Sequence, residues 1–238
     1  MTYVMSDLHG CYGLYKKMLE KINFSDDDTL YVLGDVADRG AGPIDIYMDM
    51  MKRKNVVPLL GNHDQRVRAL LSKYHFKSIQ DCFEAEAEDE YMQTWVADRG
   101  ITTILQYILL TEDEREKLLD YLMSFSPCDV VTAGGKTFFL SHTAPKKAAM
   151  ADISKCTVYD FTWGDIEYDK QYFSDGYLVT GHTPTVLLGA DKGRIYKNNG
   201  HIDVDCGAFF TGVLGCLCLD TMEEFYVGAE EGTKLHAA

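Results

Sequence analysis

The 238-residue chain is 46% hydrophobic and 25% charged, an ordinary globular composition with length enough for one large domain and a substantial core. Its 23 basic and 37 acidic residues give a net charge of −14, which argues against nucleic acid or an anionic membrane as the main partner. No apolar stretch reaches the length of a membrane span, and a strand begins by Tyr3 with no room for a signal peptide, so a cytoplasmic location is expected.

The first half alternates strand, loop and helix. Tyr3-Val4-Met5 reads as a strand running into Ser6-Asp7-Leu8-His9-Gly10, and Leu14, Met18 and Ile22 mark the helix that follows. A second apolar run, Leu30 to Leu33, stops at Gly34 and delivers Asp35, Asp38 and Arg39 before Gly40. Pro43 suits a helix start, and Ile44, Tyr47, Met48 and Met51 continue that helix. Val56 to Leu60 runs into Gly61-Asn62-His63-Asp64, with Val67, Leu70, Leu71 and Tyr74 at helical spacing beyond.

From Ser72 to Pro127 the alternation lapses into a mostly helical insertion. Glu84 to Glu90 reads as a solvated acidic helix face, with a substrate-selecting patch as the alternative, and Glu112 to Ser124 is a further helix. Val96-Ala97-Asp98-Arg99-Gly100 echoes Val36 to Gly40. The favoured reading is coincidence with a helix-ending Gly100, and the alternative has Arg99 reaching into the cleft.

The second half reads as mostly β. Gly134-Gly135 and Asn199-Gly200 mark hairpins, Phe138 to Leu140 runs into Ser141-His142, and Tyr177 to Thr180 runs into Gly181-His182-Thr183. A late β-meander is expected, with Val213 to Leu219 and Glu224 to Val227 closing the sheet and Gly232 to Ala238 a loose tail. The seven cysteines form no paired framework. Cys216 and Cys218 share a strand face as core residues, with a shared ligand as the alternative, and Cys11 beside the first loop is expected to pack, with an oxidation-sensitive thiol as the alternative.

Five strand ends therefore carry Asp, Asn or His, a pattern that core packing does not explain. Open α/β sheets place ligands beyond the carboxyl ends of strands. Imidazole, carboxylate and amide donors without thiolate suit Mn, Fe or Zn.

Asp7-Leu8-His9-Gly10, Gly34-Asp35-Val36-Ala37-Asp38-Arg39-Gly40 and Gly61-Asn62-His63-Asp64, followed in order by His142 and His182, resemble the signatures of the phosphoprotein phosphatase (calcineurin-like) family of binuclear metallophosphoesterases. The likeness is nearest to the small bacterial and phage serine/threonine phosphatases. It extends to Gly181-His182-Thr183-Pro184 and to Ile202 through Ala208. The resemblance implies an α/β fold of two packed mixed β-sheets flanked by helices. It also implies one catalytic domain over 1–238, with the 72–127 insertion lying over the active site.

The same resemblance implies two divalent metal ions, with Mn first and Fe or Zn as alternatives. Asp7 and His9 would hold one, Asn62, His142 and His182 the other, and Asp35 would bridge. Ions ~3.5–4 Å apart activate a shared water for in-line attack on phosphorus. His63 would protonate the leaving oxygen with Asp38 orienting it, and Arg39 would grip phosphate oxygens. Asp64 is expected as a loop or helix-start residue, and His75, His201 and His236 receive no role. One departure stands out. Related bacterial enzymes carry an arginine shortly after a tryptophan, whereas Phe161-Thr162-Trp163-Gly164 is followed by Asp165, leaving Arg39 alone, or Arg66 or Arg99 as substitutes, or a substrate with a positive group that Asp165 meets.

Three functions fit. A phosphomonoesterase acting on phosphoproteins or small phosphoesters leads, because Asp38 is retained. A dinucleoside polyphosphate hydrolase of the diadenosine tetraphosphate type is second, and a catalytically silent phosphate-binding protein is third.

Overall fold

The computed structural model describes residues 1–228, so the tail expected at Gly232–Ala238 lies outside the described residues. β1 (Thr2–Met5), α1 (Tyr12–Lys21), β2 (Thr29–Leu33), α2 (Pro43–Met50), β3 (Val56–Leu59) and α3 (Asn62–Tyr74) follow the predicted alternation. The strands run parallel, with Tyr3 opposite Leu30 and Leu33 opposite Leu59. Side chains alternate between faces along a strand. Tyr3, Met5, Leu30 and Val32 accordingly pack under the helices, while Val4, Tyr31, Leu33 and Leu59 face a second sheet. Each large apolar side chain so buried contributes about 1.5–3 kcal/mol.

The insertion is helical throughout: α4 (Ile79–Glu88), α5 (Glu90–Ala97), α6 (Ile101–Tyr107) and α7 (Glu112–Met123). α3 runs past the expected start of the insertion at Ser72, to Tyr74, because Val67, Leu70 and Leu71 extend its buried face. Reciprocal caps start two of the insertion helices, Ser78 with Asp81 and Thr111 with Glu114. Asp89 caps α5 and also takes bonds from Lys73 and Tyr74 at 2.6 and 2.7 Å, so this member of the acidic run ties α5 to α3.

The remainder comprises β4 (Cys128–Ala133), β5 (Lys136–Ser141), α8 (Val158–Thr162), β6 (Tyr177–Thr180), β7 (Tyr196–Asn198), β8 (His201–Asp203), α9 (Ala208–Thr211), β9 (Val213–Cys218) and β10 (Glu224–Gly228). Both predicted hairpins form, and Asn199 and Gly200 take the positive φ of 48° and 72° that such a two-residue loop requires. The expected meander does not. β5, β6 and β8 run parallel, since their long connections cross over rather than turn back. β9 and β10 join the first sheet beside β1, giving the orders β10-β9-β1-β2-β3 and β4-β5-β6-β8-β7. Cys216 and Cys218 are buried in that core as free thiols. Among the described residues, no helix is long and apolar enough to cross a membrane.

His201 lies in β8 at 1% exposure, with Nε2 2.8 Å from Thr180 Oγ1 and Nδ1 without a partner among the described residues. Burial pushes its pKa down to about 4. Acid therefore favours the unfolded chain, where the imidazole titrates near its ordinary value. The stability tied to His201 is complete above about pH 6.5 and is lost as pH falls towards 4, a span worth about 3 kcal/mol. Urea unfolding at pH 7 and pH 4.5 should show His201→Gln losing markedly less stability than the parent. Equal losses in the two proteins would remove this assignment.

Candidate metal centre

The parallel registers bring three loops to one edge of the first sheet, and the second sheet brings its own strand ends to the same place. The loops are laced by backbone bonds: His9 N–H to the Asp35 carbonyl at 2.9 Å, Gly10 N–H to Val36 at 3.0 Å, and Gly40 N–H back to His9 at 2.9 Å. Asp64 ties the second loop to the third. Its carboxylate accepts the Asp35, Val36 and Gly61 amides at 2.8, 3.1 and 3.1 Å and the Tyr47 hydroxyl. Gly61 is required here, because a Cβ would collide with the Asp35 backbone nitrogen and carboxylate. Asp64 does start a helix, as expected, but its larger part is that of a buried anchor for two loops.

Asp7, His9, Asp35, Asn62, His63, His142 and His182 converge. His9, Asp35 and His63 offer ligand atoms within 4.8 Å of one another, and Asp35, His142 and His182 do the same, so Asp35 is shared. Asp7 stands close by, its Oδ1 3.8 Å from His9 Nε2 and its Oδ2 accepting the Ser6 hydroxyl and the His182 amide. His63, expected as a proton donor, thus also falls within reach of the first group.

The donor chemistry fits divalent cations. His142 Nδ1–H donates to the Leu33 carbonyl at 2.8 Å, which leaves a lone pair on Nε2. That atom faces Asn62 Oδ1 at 2.8 Å and His182 Nδ1 at 3.0 Å. His9 Nδ1–H likewise donates to Ala37 at 2.9 Å and turns its Nε2 lone pair towards Asp35 at 3.6 Å. Electron-rich atoms turned on one another in a buried place call for positive charge between them.

Burial pushes Asp7 up to about 6, with the neighbouring Asp35 charge adding to it. Asp35 is held below the ordinary carboxylate range: burial would raise it, but four imidazoles, His142 foremost, outweigh that. Burial likewise holds His9 well below its usual value and lowers His182 to about 4, keeping both neutral, the form that metal binding requires. Cys11 is pushed up to about 11 by burial, which fits the packing role and opposes a reactive thiol.

His63 and Asp38 form a buried pair, Nδ1 to Oδ2 at 2.7 Å. Burial disfavours the imidazolium, but the Asp35 charge and the Asp38 bond prevail and lift it to about 9. The insertion completes this pair in a way the sequence did not announce. Trp95 Nε1–H donates to both Asp38 oxygens at 2.9 Å, and the Thr103 hydroxyl donates to Asp38 at 2.6 Å. Gly100 permits this, since a Cβ there would run into the Trp95 indole. The echo segment lies against its namesake: the Arg39 amide bonds the Arg99 carbonyl at 3.3 Å, and Asp98 approaches the site. Arg99 itself is exposed and rests over the Phe209 ring, so it does not reach the cleft centre.

Arg39 spans the two imidazoles, 2.7 Å from His9 Nε2 and 3.1 Å from His63 Nε2. Asp165 is not in the site. Its side chain is 79% exposed and pairs with Lys146 at 3.3 Å. Arg66 instead lies over Trp163, with Cζ 5.6 Å from the ring centre. Four of the converging residues, Asp7, His9, Asp35 and His182, and their neighbours Asp38 and Arg39 hold left-handed backbone, with φ between 39° and 73°.

The calcineurin-like phosphoesterase family model matches residues 2–203, and the chain belongs to that family. Its members use divalent metals, and the chain is accordingly a metallophosphoesterase. Among curated proteins, the symmetrical bis(5'-nucleosyl)-tetraphosphatases of Salmonella paratyphi C and Salmonella typhimurium are each 33% identical over 122 residues. The match covers 50% of this chain and 41% of theirs, so the chain spans less than half the length of those relatives. Solved structures show the same fold. A putative diadenosine tetraphosphatase aligns at TM-score 0.65 and 16% identity, covering 97% of this chain and 94% of that one. A protein serine/threonine phosphatase from Saccharomyces cerevisiae aligns at 0.53 and 10% identity, covering 98% and 81%.

Proposed function

We propose that the chain hydrolyses phosphate–oxygen bonds at a two-metal centre held by Asp7, His9, Asp35, Asn62, His142 and His182, with dinucleoside polyphosphates as the first substrate class. The observation that carries the chemistry is the pair of donor groups sharing Asp35 beside the buried His63–Asp38 pair. When bound, the cations supply Lewis acidity and a nucleophilic water near neutral pH. Imidazole-rich donors favour Mn, Fe or Zn for that position. The whole chain, insertion included, acts as one catalytic unit in this reading.

The protein's own groups do the rest. Arg39 presents a guanidinium fork to phosphate oxygens beside His9 and His63. His63, carrying its proton at Nε2 and fixed at Nδ1 by Asp38, hands that proton to the leaving oxygen. Asp38 cannot turn away, because Trp95 and Thr103 hold its carboxylate. Residues alone favoured the ester. Relatives named as tetraphosphatases move the anhydride ahead of it.

The serine/threonine phosphoester remains the second reading, favoured by the fully built His63–Asp38 pair. An alkoxide is a far worse leaving group than a nucleotide phosphate, and a well-placed acid is worth roughly 10²–10⁴-fold to it. The test is kcat/KM on diadenosine tetraphosphate against a phosphothreonine peptide, with Mn bound. The dinucleotide should be the better substrate and the less sensitive to Asp38→Asn. A faster peptide reaction that collapses in Asp38→Asn would hand the assignment to the protein-phosphatase reading.

A further inference from the structure

Arg66 emerges from α3 one turn beyond Asn62 and is 96% buried, at 4% exposure. Its guanidinium lies between the Tyr91 and Trp163 rings, 5.7 and 5.6 Å from their centres, and its Nε finds no partner among the described residues. Its hydrogen-bonded acid is Asp98, which accepts from Nη1 at 3.2 Å. The same carboxylate stands 3.4 Å from His63 Nε2 and 3.6 Å from Arg39 Nη2. One carboxylate thus lies where two arginines and the proton-donating histidine meet.

The fit is loose. Charge-assisted bonds close to about 2.7–2.9 Å when the anion suits its donors. All three contacts here are longer, and one negative charge faces two permanent positive ones. A phosphate has more oxygens, a wider tetrahedral reach and more charge, and it would close the gaps that a flat carboxylate leaves. Asp98 is free to yield the place, since its side chain is 38% exposed while Arg66 is enclosed. The order of groups is also informative. Arg39 touches His9 of the first donor group, Asp98 comes next, and Arg66 lies beyond it.

We propose that Arg66, with Arg39 and His63, forms a binding site for a second phosphate, adjoining the one that is cleaved, and that Asp98 occupies this site in the resting protein. The ligand class is a compound with consecutive phosphates. The proposal deepens the polyphosphate reading and rests on it for biological meaning, but its test needs no nucleotide. The bland alternative is that Arg66 and Asp98 simply brace α3 against the insertion.

The test measures orthophosphate and pyrophosphate as competitive inhibitors of nitrophenyl phosphate hydrolysis, at fixed free Mn, with pyrophosphate binding followed in parallel by calorimetry. Arg66→Gln should weaken pyrophosphate relative to orthophosphate by roughly 10–100-fold. Asp98→Asn should tighten pyrophosphate by roughly tenfold, because a like charge leaves the site. If Arg66→Gln unfolds, Arg66→Lys keeps the charge without the fork and should give a smaller loss in the same direction. Equal weakening of both anions, or weaker pyrophosphate binding in Asp98→Asn, would overturn the proposal in favour of the brace. Discrimination for pyrophosphate without any turnover of diadenosine tetraphosphate would leave the second-phosphate site standing and remove only the dinucleotide substrate.

Discussion

Asp35→Asn is expected to abolish turnover and to release bound metal. Among the described residues its carboxylate is the one acid within 4 Å of His9, His63 and His142 together, at 3.6, 3.9 and 3.5 Å, and it also accepts the His63 amide at 3.0 Å. Losing that charge would leave the two candidate donor groups without the carboxylate they share. Lewis-acid stabilisation is worth several kcal/mol, so the expected fall in kcat is about 10³-fold or more. Asparagine tolerates the left-handed backbone at this position, so the fold should persist and the loss be read as chemistry. Metal content by mass spectrometry, with nitrophenyl phosphate turnover before and after chelation and repletion, measures it. Mn should restore activity at least as well as Mg. Full turnover after verified metal removal would end the metal-dependent mechanism.

The second large effect is expected at His63. His63→Asn should retain metal and lose roughly 10²–10⁴-fold in rate on a substrate that expels a strong base. On nitrophenyl phosphate the loss should be smaller, since that leaving group needs little help from a proton. The contrast isolates proton donation, because misplaced ligands would slow both reactions alike. His63 also stands within reach of the first donor group, so metal content must be measured in the same preparation. A rate loss of equal size on both substrates would show that His63 does not act as the acid.

Much of the site was legible because it sits on strand ends. Apolar runs that stop at a glycine and are followed by Asp, His or Asn announce both a buried strand and the polar group it delivers. The same local grammar says nothing about which sheet edge a late strand will join. Val213 to Cys218 alternates no differently beside β1 than it would beside β8, and so the second half was expected as a meander. Nor could a helical stretch reveal that Trp95 and Thr103 turn inwards upon Asp38. Trp95 lies in α5 and Thr103 in α6, and their shared partner lies 57 and 65 residues upstream of them. Asp98 was visible only as part of a repeated pentapeptide. Its proximity to Arg39, Arg66 and His63 arises from packing the insertion on α3. Asp165 misled for the opposite reason: a motif position was matched, but the chain turns its side chain to solvent.

The left-handed backbone at Asp7, His9, Asp35, Asp38, Arg39 and His182 has an evolutionary consequence. That conformation costs an ordinary side chain roughly 1–2 kcal/mol, and glycine almost nothing. At His9, Arg39 and His182, which lack the tolerance of an Asp side chain for this backbone, a lineage released from catalysis would gain stability by drifting to glycine, whereas glycine at Asp38 would strand the buried Trp95 and Thr103 donors. The chain holds a chemically equipped residue at every one of them. Its thermal margin is set in part by this concentration of strain in the loops where phosphate is to be bound, so selection for robustness and selection for turnover act there in opposite directions.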